Sequence, residues 1–346
     1  MNVLCCSPPG PLVWRTVDAL RLAAPAQAIV RPLVVATCDI DAPLLAGRTP
    51  YRGPIALGHE CIAEVVSVGP DVRQVRVGDR VVVPFQASCG GCAACRRGHT
   101  GNCTSVAPMT MFGFGRAGGD LGGALADELL VPFADAMLVP FPASLDPTHW
   151  ASLADNLPDA YRAVAEPLRA WPGAEVLIVG GQCVSIGLYS VDLALALGAS
   201  AVTYLDIDEE RCRRATALGA DARSGPYPTQ ASRRYAVTVD ASADPSGLAC
   251  ALRSTAPDGI CTSTGGYFEA TTPFPLRDLY LSVGTFRTGR CHARPAIEPL
   301  LELAERRRLR PEHVTSRVVA FADAAAVLAE GRAEKIVFVR SSSSAC

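Results

Sequence analysis

Residues 89–103, CGGCAACRRGHTGNC, carry four cysteines spaced Cys89-x2-Cys92-x2-Cys95-x7-Cys103. Tetrahedral zinc takes four thiolates, and two-residue gaps let a tight turn aim successive sulfurs at one point. Gly90, Gly91 and Gly101 supply the backbone freedom such a turn uses. With every position filled by protein, no place is left for water or substrate, so the metal predicted here is structural. A redox Cys-x-x-Cys pair needs only two sulfurs, and a disulfide knot suits an oxidising compartment. Arg96 and Arg97 stand on this loop without a wider basic patch, and His99 reads as a surface bystander.

A second set of metal-ligand residue types is scattered. Cys38 ends the apolar run RPLVVATC, His59 and Glu60 lie in GHE before the run CIAEVVSVG, and Asp155 lies in SLADNLPDAY. A catalytic zinc uses about three protein ligands and keeps a fourth position open. Taken singly, each of these residues reads as readily as a packing residue.

A third group has the chemistry of phosphate and ribose recognition. GGQCVSIG follows the apolar run VLIV and contains Gly180, Gly181 and Gly187. Glycines between a first strand and helix let backbone amides approach a pyrophosphate. The spacing is not G-x-G-x-x-G: Gln182 stands third, and the last glycine arrives two positions late, which predicts a lengthened loop. Asp206 ends the next strand pattern, AVTYLD. Its carboxylate can accept both ribose hydroxyls and would repel a 2′-phosphate, favouring NAD over NADP. The competing reading makes Asp206 a helix cap.

These residues need two kinds of scaffold. Up to about residue 150, β-rich runs such as AIVRPLVVAT, CIAEVVSVG and GDRVVVPF alternate with glycine and proline turns, predicting a barrel-like or sandwich-like domain. From VLIVGG onward, apolar strands alternate with helices, one of them predicted from Glu209 to Leu218 and another over ALRSTAPDG. That alternation means βαβ units and a buried parallel sheet, an α/β fold. The last fifty-odd residues are mixed and end in a strand, KIVFVR, and a tail, SSSSAC, expected to fray.

At 346 residues the chain is long enough for two domains, and its formal net charge of −2 gives no general attraction to nucleic acid or anionic membranes. The run 186–205 approaches membrane-span length, but Gly198 and Ser200 divide it into helix and strand patterns. MNVLCCSPPGPLVW lacks the features of a signal peptide, so a reducing, cytoplasmic location is expected. There the nine cysteines outside the motifs read as small buried hydrophobes. Lys335 is the only lysine, every other basic residue being arginine; coding bias accounts for this, and no function is assigned to it.

Taken in order, GHECIAEVVSVGPDVRQVRVGDRVVV, the four-cysteine loop, ADNLP and VLIVGG make the chain resemble the zinc-dependent medium-chain dehydrogenases, the alcohol-dehydrogenase-like superfamily. The resemblance covers essentially the whole chain. It implies a chaperonin-10-like catalytic domain over 1–155, completed by 290–346, and a doubly wound Rossmann domain over 156–289. It implies that Cys38, His59 and Asp155 ligate a catalytic zinc, with Glu60 beside the metal or exchanging onto it. It also implies that Arg211 contacts the adenosine end of the coenzyme. The expected reaction is hydride transfer between NAD(H) and a small alcohol, aldehyde or ketone, by a homodimer or homotetramer.

The chain departs from the family where a proton would leave. Ile40 replaces the usual hydroxyl residue two places after the cysteine, Pro43 a frequent histidine, Asp39 a glycine and Asp159 a threonine. Asp39, Asp159, Glu60 and solvent are the alternative routes. Two readings of the same scaffold therefore stay open: reduction of an activated double bond, and a non-redox elimination or cyclisation. A zinc-ribbon binding module is excluded by net charge and by the long α/β half.

Overall fold

The computed structural model describes residues 1–332 and 334–341, so the tail from residue 342 lies outside the described residues. The chain divides into two compact units: residues 1–158, 292–305 and 315 onward, and residues 159–291 with 306–314. The expected plan gave everything after residue 290 to the first unit, but 306–314 joins the second. Its own hydrogen bonds explain this. The Arg310 amide donates to Asp192 Oδ2 at 2.6 Å, its guanidinium to the Leu218 carbonyl at 2.6 Å, and Arg308 to the Ala196 carbonyl at 2.8 Å. The AERRRLRPEH run thus leaves its helix at Glu305 and becomes a strap of arginines.

In the first unit, a mixed sheet runs in spatial order Arg317–Ala320, Ile336–Val339, Ala28–Ala36, Glu60–Val68, Arg80–Val83 and Val139–Pro140. The strand Leu129–Val131 also pairs with Ala28–Ala36. Ala28–Ala36 is the centre of this sheet, and its register slips between Pro32 and Val34. Proline has no N–H to give to a ladder, so a break there is expected. Beyond the slip, Ala36 lies opposite Glu60 on one side and Val337 on the other. Val34, Ala36, Ala151 and Val337 pack as one buried cluster on this centre. Fully burying each of the two valine side chains stabilises the fold by about 1.5–3 kcal/mol.

The second unit holds a six-stranded parallel sheet, ordered Asp221–Ser224, Val202–Asp206, Val176–Val179, Tyr235–Asp240, Thr255–Ser263 and Thr285–Arg287. With the strands numbered along the chain, this is the order 3-2-1-4-5-6 of a doubly wound dinucleotide fold. Its first strand, VLIV, is buried at every residue, as a central parallel strand must be. The 186–205 run divides as its glycine and serine indicated, into the helix Val184–Ala196 and the strand Val202–Asp206. The helix Glu209–Leu218 has its expected bounds. The helix expected over ALRSTAPDG lies earlier in the chain: Pro245–Arg253 is helical, and Thr255 already begins a strand. No described helix is long and apolar enough to cross a membrane.

Of the nine cysteines read as packing residues, Cys6, Cys61, Cys183, Cys212, Cys250, Cys261 and Cys291 are buried and Cys5 is half-buried; Cys346 lies outside the described residues.

Gly180 closes the first strand against a tyrosine from the second. A Cβ there would stand 2.1 Å from the Tyr204 hydroxyl and 2.5 Å from Asp206 Oδ2. Tyr204 is itself fully buried, so neither group has room to retreat. Gly180→Ala is therefore expected to destabilise the protein by ~1–3 kcal/mol, read as a lowered denaturant midpoint. An unchanged midpoint would show that this packing is looser than described.

Candidate functional site

Cys38, His59 and Asp155 offer Sγ, a ring nitrogen and a carboxylate oxygen that all lie within 4.8 Å of one another. Strand register brings the first two together. Cys38 follows Ala28–Ala36, whose last residue faces Glu60, so Cys38 emerges beside His59. The Cys38 amide donates to Asp41 Oδ2 at 2.8 Å, which folds the chain back at this point. Asp155 arrives at the end of the 3-10 turn Ala151–Ala154, immediately before the helix Asn156–Ala170. Its Oδ2 is 3.2 Å from Cys38 Sγ and 3.3 Å from His59 Nε2. Phe85 and Phe114 pack against the His59 ring.

The electrostatics of this group are those of a site short of positive charge. Burial, then Asp155, Glu60, Asp41 and Asp39, push the Cys38 thiol far above its ordinary pKa. Burial also raises Asp41. His59 is pulled down by burial but held above its usual value by Asp155, Asp41 and Glu60. Asp155 stays below the usual carboxylate range because His59, Cys38 and Lys335 outweigh its burial. His59 Nε2 faces Asp155, while His59 Nδ1 is buried without a hydrogen bond among the described residues. A buried ring nitrogen left so costs on the order of 1–3 kcal/mol.

Glu60 is turned to other partners. It accepts from Ser152 Oγ at 2.6 Å, from the Asn156 amide at 3.1 Å and from Lys335 Nζ at 2.8 Å. Burial pushes its pKa up to about 7, with Lys335 opposing. Sequence reasoning named Glu60 but missed Ser152, Asn156 and Lys335. Lysine 335 did carry a signal, as the one lysine among 32 basic residues, but coding bias was a sufficient account of it. The corrected reading is that it is a fully buried ion-pair partner.

The four clustered cysteines meet as their spacing required. Their sulfurs all lie within 4.8 Å, with Cys92 and Cys103 4.0 Å apart, about twice a disulfide bond. Backbone amides point at the sulfurs: Cys92 N to Cys89 at 3.3 Å, Cys95 N to Cys92 at 3.5 Å, Cys89 N to Cys103 at 3.4 Å. Such donors stabilise thiolates, and they draw Cys92 down to about 5. Burial raises Cys95 to about 12 in the same cluster. Gly90 takes a left-handed φ of 71°, whereas nothing crowds Gly91. His99 is exposed and outside the cysteine group; its ring stacks on His292 at 5.2 Å, and His292 Nδ1 accepts the Gly101 amide at 3.1 Å.

In the second unit, Gly180 and Gly181 occupy the four-residue turn 180–183, and Gly187 lies one turn inside the following helix. A Cβ on Gly187 would touch Ala241 at 3.4 Å, so this glycine permits close helix–sheet packing. The turn is held from outside. The Gln182 and Cys183 amides donate to the carbonyls of Ser242 and Ala241 at 2.9 and 3.1 Å, and the Tyr227 hydroxyl to the Gly180 carbonyl at 2.7 Å. Asp206 does end its strand, fully buried, and accepts four bonds. They come from the Tyr204 hydroxyl (2.9 Å), the Asp208 amide (3.0 Å) and Arg211 Nε and a terminal Arg211 nitrogen (2.9 and 2.6 Å). Asp208, not Asp206, caps the next helix.

Residues 24–143 match the alcohol dehydrogenase GroES-like domain. A probable zinc-binding alcohol dehydrogenase of Mycobacterium tuberculosis is 29% identical over 90% of this chain and 80% of its own length. A medium chain reductase/dehydrogenase of an Acremonium species is 32% identical, over 65% of this chain and 78% of that protein. Among solved structures, an alcohol dehydrogenase from Thermus sp. ATN1 matches with a TM-score of 0.89 at 29% identity, covering 98% of this chain and 100% of that one. Similarity that spans most of both chains, on the same pair of folds, means that this chain belongs to the zinc-dependent medium-chain dehydrogenase/reductase superfamily.

Proposed function

We propose that this oxidoreductase moves a hydride between NAD(H) and a small alcohol, aldehyde or ketone, with one zinc on Cys38, His59 and Asp155 and a second on Cys89, Cys92, Cys95 and Cys103. The observation that carries the reading is the convergence of a thiol, a carboxylate and a buried imidazole within 4.8 Å. These donors suit zinc, and three protein ligands would leave a fourth position open. Bound there, zinc supplies a Lewis acid that withdraws charge from an alcohol or carbonyl oxygen and lowers the alcohol's pKa.

The chain's own residues then orient and exclude. His59 is clamped between Phe85 and Phe114, and Glu60 is neutralised by Lys335. Of the four routes considered for the substrate proton, two are committed elsewhere. Glu60 holds three donors, and Asp159 is ion-paired with Arg162. Solvent carries the proton in this reading, with Asp39, next to Cys38 and itself partnered, as the alternative.

In the coenzyme unit, Gly180 and Gly181 form the turn for the pyrophosphate, and Asp206 receives the ribose. Since Asp206 already fills its four acceptor positions, the ribose hydroxyls replace the two bonds from Arg211, whose guanidinium swings toward the adenosine end. Assembly as a homodimer or homotetramer and a cytoplasmic location complete the proposal by analogy.

Metal analysis of protein purified without added zinc is expected to give two zincs per chain, and one in Cys38→Ala. That protein should change NADH absorbance with alcohols or aldehydes. One zinc, unchanged in Cys38→Ala, would favour the double-bond reductase reading. Two zincs with no absorbance change on any alcohol or carbonyl would favour elimination or cyclisation. For the coenzyme, Asp206→Ala should shift the ratio of NAD to NADP affinity by about tenfold or more toward NADP, since about 1.4 kcal/mol of discrimination is removed. An unchanged ratio would remove Asp206 from ribose recognition.

A further inference from the structure

The one lysine is placed where an arginine could not do the same work. Lys335 Nζ is 1% exposed and donates to three acceptors: the Thr37 carbonyl, Glu60 Oε2 at 2.8 Å and Asn156 Oδ1 at 2.7 Å. An ammonium presents three donors from one point, in tetrahedral directions, whereas a guanidinium spreads its donors in a plane. Neutralising Glu60 needs only one of the three. The bond to Asn156 does something different.

An asparagine amide has an accepting end and a donating end, and its neighbours decide which way round it sits. Lys335 has donors only, so it can face only Oδ1. The NH2 end must then point the other way, and there it lies 3.1 Å from Cys38 Sγ and 3.3 Å from Asp155 Oδ2. The Asn156 backbone is fixed as well, its amide donating to Glu60 Oε1 at 3.1 Å. One buried cation therefore sets the orientation of a donor aimed at two of the three atoms proposed to hold zinc.

We infer that Lys335 is a positioning residue that acts through Asn156: it locks the amide so that an N–H is shared between the Cys38 sulfur and the Asp155 carboxylate, fixing the direction and donor strength of both ligands. This rests on the zinc reading of the Cys38 group. An N–H given to a thiolate draws electron density from sulfur, and partners of metal ligands commonly change affinity by 10–100-fold.

The test uses the full-length protein with cobalt exchanged into the Cys38 group while zinc stays on the four clustered cysteines. The wild-type spectrum minus that of Cys38→Ala isolates the thiolate-to-cobalt charge-transfer band. Asn156→Ala should move this band to lower energy, because the sulfur becomes more electron-rich. Lys335→Met should move it the same way, with cobalt affinity lowered roughly 10–100-fold. In the Asn156→Ala background, Lys335→Met should add no further shift. A Lys335→Met shift that persists undiminished without Asn156 would overturn the inference, as would an unshifted band in Asn156→Ala, a variant that leaves the Lys335–Glu60 pair in place. If Cys38→Ala leaves the cobalt spectrum unchanged, the zinc reading itself fails and this inference with it.

Discussion

The pairing of one central strand, Ala28–Ala36, with Glu60–Val68 on one edge and Ile336–Val339 on the other is the constraint from which the first unit's chemistry follows. It sets Ala36 between Glu60 and Val337, so that the residues just past each strand end meet. Cys38, His59 and Lys335 are all such residues. A one-residue slip of either pairing would turn Glu60 or Lys335 to the opposite face of the sheet. The register is protected by burial: Val34, Val35, Ala36, Ile62 and Val337 are all within the core. The bulge at Pro32 absorbs the irregularity further down the strand, away from the site.

That geometry gathers negative charge where water cannot dilute it. Glu60, Asp155, Asp41 and the Cys38 thiol share one buried neighbourhood, and among the described residues Lys335 and His59 offset them. Burial penalises every charged form, and the Asp155 charge adds to the rise at Cys38 and Glu60, while His59 holds Asp155 itself down. A divalent cation reverses this, favouring the thiolate and leaving the imidazole neutral. The four clustered cysteines solve the same problem differently. They lie nearer solvent and take backbone N–H donors, which lower Cys92 without a buried counter-ion. One site is thus held by the fold around it and the other mostly by its own loop.

The coenzyme unit shows a comparable economy. Tyr204 reaches from the second strand to the glycine turn after the first, and its hydroxyl also donates to Asp206. The same side chain therefore fills the space that Gly180 leaves and orients the acid at the strand end. The half-buried Arg211 completes an ion pair with that buried acid. Such a pair contributes little net stability, since desolvation offsets attraction, but removing one partner is expensive.

Much of the short-range pattern was legible in the sequence. The x2-x2-x7 spacing located the four-cysteine group because its ligands lie on one loop, and alternating apolar runs gave the strands and the α/β half because periodicity is local. The end of the helix at Arg253 and the return of 306–314 to the second unit were not legible. Both depend on which strand or carbonyl lies alongside, not on local propensity. The candidate ligands Cys38, His59 and Asp155 could be named through a family resemblance, yet nothing in their spacing brings them together. Lys335 lies 275 residues from Glu60, and only the pairing of distant strands makes them partners. What the sequence determined alone was whatever a chain can specify over a few residues: turns, strand and helix patterns, and a self-contained four-cysteine loop. The tertiary structure decided which buried charges face one another, because that is set by sheet register and by the low dielectric of the core, neither of which a local stretch of residues contains.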